Sequence, residues 1–99
     1  MLTNENMYYI IRNIQTKNGF VNFDYDIVEA SKDFETISNH YIRKEQKAIE
    51  KYKKSFRCYS EDNNDGYDYW MFLYTVENGD EITYALCGNQ KVRDFVTHI

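Results

Sequence analysis

Reactive side chains are few and widely spaced. Cys87-Gly88-Asn89 puts a thiol just ahead of a segment that reads as a helix start, where aligned backbone N–H groups favour a thiolate. A cysteine nucleophile also needs a base, and neither His40 nor His98 stands at a spacing that supplies one. The expectation for Cys87 is therefore a small buried strand residue. His40, His98, Cys58 and Cys87 are all zinc-ligand types, but structural zinc sites use closely spaced ligand pairs, and none of these has a near neighbour. Glu61 to Gly66 has the composition of a calcium loop. With Gly66 at the sixth loop position, Phe72 occupies the twelfth, where a bidentate Glu is required.

Glu45-Gln46-Lys47 fits the Glu-x-Lys half of the restriction-nuclease signature. That pair belongs on a strand beside a metal-binding Asp, whereas here it lies in the most helical stretch, where such pairs are solvated surface. No Walker loop, Gly-x-Gly-x-x-Gly or Gly-x-Ser-x-Gly is present. The expectation is a protein that is not an enzyme and uses no metal or cofactor.

Binding signals are stronger. The net charge of −4 hides a split: residues 31–57 carry eight basic side chains against four acids, and residues 58–82 carry seven acids and no base. Such segregation bears on steering and partner choice. The basic set is Arg43, Lys44, Lys47, Lys51, Lys53, Lys54 and Arg57, interleaved with Tyr41 and Tyr52, a pattern suited to phosphates. Glu45 and Glu50 interrupt it, and the sequence pI near 5.1 opposes it. The acidic set begins with Asp24 and Asp26, which share a strand face about 7 Å apart, a spacing on the scale of nucleic-acid phosphates. Glu77 and Asp80 are expected to face each other across a turn. With Asp62, Asp65, Asp68 and Glu81 they make a candidate nucleic-acid-like surface.

Two Asn-Gly pairs, Asn18-Gly19 and Asn78-Gly79, organise the elements that must position these groups, because both residues tolerate positive φ in a hairpin turn. A two-residue first turn pairs Arg12 with Tyr25, Ile10 with Ile27 and Ile11 with Asp26, giving one apolar and one polar face. A short helix over 7–15 is the rival, since Tyr8, Ile11 and Ile14 also fall at helical spacing. A two-residue second turn pairs Met71 with Leu86 and Leu73 with Tyr84 on one face, and Trp70 with Cys87 and Phe72 with Ala85 on the other. Both faces are apolar, so this pair must be covered twice or must show one side to a partner.

Between the hairpins, Ser31 is the expected N-cap of a long helix over about 31–54, with Phe34, Ile37, Tyr41, Ala48, Ile49 and Tyr52 as its apolar stripe. A short strand over Phe56 to Ser60 follows. Val92, Phe95, Val96 and Ile99 suggest a C-terminal helix capped by Asn89. The expected fold is one α+β domain over residues 1–99, order β-β-α-β-β-β-α, with both helices on one face of an antiparallel sheet.

Ninety-nine residues suffice for one core and not two. A hydrophobic fraction of 42% and a charged fraction of 28% match globular usage and argue against disorder. No apolar run approaches a membrane span, Met1 to Asn6 lacks the features of a secretory signal, and two cysteines do not make a disulfide scaffold; a cytoplasmic setting is expected. Tyr, Phe and Trp make up 17% of the chain, so some rings should be exposed, although A/T-rich codons alone produce such a bias.

In size and composition the chain is similar to small phage or mobile-element proteins that inhibit host enzymes by occupying a site. The resemblance implies an anti-defence inhibitor, such as an anti-CRISPR, that binds a larger nucleic-acid-handling protein. Acidic residues would steer association, and exposed Trp70, Phe72 and Tyr74 would supply contact energy. The alternatives are a nucleic-acid-binding regulator using the helix at 41–57, and a homodimer whose core is the aromatic hairpin face.

Overall fold

The computed structural model describes residues 7–17, 25–60 and 68–96. Five strands and two helices follow the expected order: β1 (Tyr8–Gln15), β2 (Asp26–Ser31), α1 (Phe34–Tyr52), β3 (Arg57–Ser60), β4 (Asp68–Thr75), β5 (Glu81–Gly88) and α2 (Asn89–Val96). The strands form one antiparallel sheet in the order β2-β1-β5-β4-β3, which leaves β2 and β3 as its edges. The rival helix over 7–15 is excluded, because β1 is hydrogen-bonded to both β2 and β5.

Both hairpin registers differ from the expected ones. Val76 N donates to Asp80 O at 2.9 Å and Gly79 N to Val76 O at 2.9 Å, so the second turn holds three residues, 77–79. Gly79 sits at φ +94°, the conformation that closes a three-residue loop with a bulge. Asn78 holds the loop by accepting from Asp80 N at 2.9 Å and donating to the Asp80 carboxylate at 3.2 Å. The extra loop residue shifts the pairing by one: Trp70 faces Leu86, Phe72 faces Tyr84 and Tyr74 faces Ile82. Because side chains alternate, a slip of one moves a strand's whole set to the other face. All the large rings of β4 and β5 thus fall on one side. In the first pair Arg12 faces Asp26, Ile11 faces Ile27 and Ile10 faces Glu29, with a bulge between Ile10 and Ile11; the Asn18-Gly19 turn lies outside the described residues.

The ring-bearing side takes α1. Ile10, Phe72 and Leu86 of the sheet pack on Ile37, Tyr41 and Ala48 of the helix, with Tyr8, Phe34, Phe56, Trp70, Tyr74 and Tyr84 around them. Phe72 is the hub, its ring 5.3 Å from Tyr41, 5.6 Å from Phe56 and 5.2 Å from Tyr84. The N-cap is Asp33 rather than Ser31: its carboxylate accepts from Glu35 N at 3.2 Å and from Thr36 Oγ1 at 2.6 Å. Ser31 accepts from Asp33 N at 3.0 Å, bracing the cap.

The other side is also covered, which corrects the expectation of both helices on one face. Val92 of α2 packs with Tyr9, Ile11, Ala85 and Cys87, the alternate residues of the two central strands. The reason is periodicity: β1 and β5 are apolar at every position from Tyr9 to Ile11 and from Ala85 to Cys87, so burying them requires cover on two sides. Cys87 is a fully buried member of this second cluster, the small core residue its sequence context suggested.

Candidate interaction surface

The aromatic trio expected at an interface has its own internal partner. Phe72 is 0% exposed at the centre of the core, and Trp70 and Tyr74 pack against the same cluster. Tyr74 stacks on Tyr52 of α1 at 4.5 Å, and Trp70 lies 5.7 Å from Phe34 and 5.9 Å from Tyr41. The face proposed as a dimer core is thus the seat of α1. Trp70 also lines an open groove.

The described acids are largely engaged within the chain. Asp26 pairs with Arg12 at 3.1 Å, and Glu81 pairs with Arg57 at 2.8 Å. Asp80 accepts from Lys17 N at 3.1 Å, tying the segment after β1 to the β4–β5 turn. Glu77 does not face Asp80 as expected: it belongs to the turn, and Asp80 is opposite Val76. Glu77 is exposed and makes no ion pair among the described residues. Asp68 lies at the start of β4. Asp24, Asp62 and Asp65 fall outside the described residues, as does the Glu61 to Gly66 stretch.

Of the basic set, Arg57 is the member paired in this way, while the α1 residues differ. Arg43, Lys47, Lys51 and Lys54 recur at three- and four-residue spacing and form one exposed stripe along α1 and its end, with half-buried Lys44 at its border. Among the described residues none of these five makes an ion pair; Lys51 instead lies over the Tyr52 ring at 5.4 Å. Glu45 and Lys47 both lie on α1 and not on a strand.

The opposite flank of α1 is apolar and exposed, a feature the sequence reading missed. Ile42 is 40% exposed and Ile49, one heptad on, is 38% exposed, although Ile49 was expected in the buried stripe. The signal lay in the spacing: Ile42 and Ile49 sit beside the Tyr41–Ala48 stripe, widening it past what the sheet covers. Tyr59 on edge strand β3 is 46% exposed. Between α1 and β3 runs a groove of about 240 Å³, lined by Tyr41, Ile42, Glu45, Cys58, Tyr59 and Trp70.

Two polar groups in that groove have unusual settings. The Tyr41 hydroxyl is buried with no hydrogen-bond partner among the described residues, and Tyr41 as a whole is 2% exposed. Burial first, then the charge of Glu45, raises its phenol far above the ordinary range. Cys58 hydrogen-bonds Glu45, and burial followed by that carboxylate pushes its thiol up, which keeps it protonated and a poor nucleophile. No group of three or more potential metal ligands occurs among the described residues, and no described helix is long and apolar enough to cross a membrane. Comparison with protein-family models, curated proteins and solved structures returns no match.

Proposed function

We propose that this protein is a non-enzymatic interaction protein that docks on a larger, nucleic-acid-handling protein and blocks it. The observation that carries the docking is the exposed apolar flank of Ile42, Ile49 and Tyr59 beside the open edge of β3, since clustered apolar surface rimmed by charge marks contact sites. The resemblance in size and composition to anti-defence inhibitors supports the nature of the target. Steering is assigned to the acid-rich stretch that carries Asp62, Asp65 and Asp68, the set to change.

The test is capture from lysates with and without nuclease. A defined protein retained after nuclease, and lost with Ile42→Asp plus Ile49→Asp, supports the reading; retention unaffected by those changes sinks it. Asp62, Asp65 and Asp68 changed together to Asn should slow association at low salt.

A second reading is favoured by the exposed stripe Arg43, Lys47, Lys51 and Lys54, which makes no ion pair among the described residues: a nucleic-acid-binding regulator. It predicts retention that vanishes with nuclease, weakens steeply with salt, and is abolished by Lys47→Glu with Lys51→Glu.

A further inference from the structure

The groove between α1 and β3 has a chemistry that protein docking does not explain. Its walls are Trp70, Tyr41, Ile42 and Tyr59, and its one charged group is the Glu45 carboxylate. Among the described residues no basic side chain pairs with Glu45; its partner is the neutral Cys58 thiol. The helical repeat sets Arg43 and Lys47 about 200° around α1 from Glu45, so the basic stripe points away from the groove. An unpaired carboxylate beside aromatic rings attracts a cation that loses little by leaving water.

We propose that this groove binds an alkylated ammonium head group, with Trp70 as the principal ring and Glu45 as the counter-charge. Quaternary ammonium groups suit aromatic walls because their charge is spread over methyl groups that also bury apolar surface, and ring quadrupoles attract them. Lys and Arg heads are hydrated more strongly or demand planar hydrogen bonding, which one carboxylate and no carbonyl fork would not meet. At about 240 Å³ the groove is smaller than sites that enclose a drug-sized ligand. It suits a head group whose remainder stays outside. Choline-like small molecules and trimethyl-lysine on a peptide share this chemistry.

Trp70 is the only tryptophan of the chain, so its emission reports the groove directly. The protein is titrated with choline chloride, with 3,3-dimethylbutan-1-ol as the uncharged isostere, and with a trimethyl-lysine peptide, ionic strength being held constant with sodium chloride. A saturable emission change with choline or the peptide, about tenfold weaker with the isostere, is expected. Glu45→Gln should weaken cation binding by a similar factor while leaving the isostere unaffected. Whichever of choline and the peptide binds more tightly names the source. Equal binding of cation and isostere, or no saturable response to either cation, overturns the proposal, and that comparison needs only the unaltered protein.

Discussion

Tyr41→Phe should make the protein more stable. The substitution removes one atom, the hydroxyl oxygen, which is buried without a partner among the described residues. The ring keeps its neighbours, 5.3 Å from Phe72 and 5.9 Å from Trp70. A buried, unpaired polar group costs about 1–3 kcal/mol, and the small void left behind takes back part of the gain. A net increase of about 1 kcal/mol is expected, equivalent to roughly 4–8 °C in Tm for a domain of this size. Urea unfolding at neutral pH, with an unchanged m value, measures it. The pH dependence gives an independent check. Burial, with the charge of Glu45 adding to it, raises the phenol in the folded state, so folded chains keep a proton that unfolded chains release above about pH 10. The contribution is complete below that pH and declines above it, a loss that phenylalanine cannot show. The advantage of Tyr41→Phe should therefore widen above pH 10, by up to about 1.4 kcal/mol per pH unit. A variant less stable than the parent by more than about 0.5 kcal/mol would mean that the hydroxyl is satisfied, and the reasoning would fail.

Phe72→Ala removes the ring at the centre of the α1 side and should cost about 3–5 kcal/mol, a large share of the roughly 5–15 kcal/mol of a domain this size. Thermal melts should show a broad loss of structure rather than a selective loss of binding. Asp33→Ala removes both cap contacts of α1 and should cost about 0.5–2 kcal/mol, read as a lower urea midpoint; Ser31→Ala should cost less. Gly79→Ala forces a Cβ into φ +94°, 3.0 Å from the Lys17 side chain. Lysine can move aside, so backbone strain of about 1–2 kcal/mol sets the cost, and an unchanged melting temperature would contradict the three-residue turn.

Element identity was legible in the sequence because it follows from local rules. Alternation around Asn-Gly gave the hairpin strands, and the three- and four-residue spacing from Phe34 to Tyr52 gave the helix. Two apolar faces on the second hairpin called for cover on both sides or for a partner, and the fold takes the first course. The register was not legible. Asn78-Gly79 is compatible with a two-residue turn and with a three-residue loop whose glycine closes a bulge. The choice between them decides whether Phe72 shares a face with Ala85 or with Tyr84. The tertiary structure settles it by gathering Trp70, Phe72, Tyr74, Tyr84 and Leu86 on one side, where α1 can bury them together. Ring burial of this kind outweighs any local preference of the turn. Hence Phe72 of the trio read from sequence as an interface is core, with Trp70 and Tyr74 packed against it, while Ile49, which looked like core, is surface beside Ile42.

Strand order, too, belongs to the tertiary level. Nothing local brings β1 against β5, yet their eight-residue ladder makes them the centre of the sheet and leaves β2 and β3 as edges. The candidate groove exists because of that order, since it needs edge strand β3, the end of β4 at Trp70 and the flank of α1 in one place. Sequence alone determined which residues form strands and helices, how charge divides along the chain, and the lack of a catalytic motif, because each depends on neighbours a few positions apart. Only the folded chain decided which apolar residues face inward, which charges are paired, and where a carboxylate meets aromatic rings, because those depend on contacts between segments far apart along the chain.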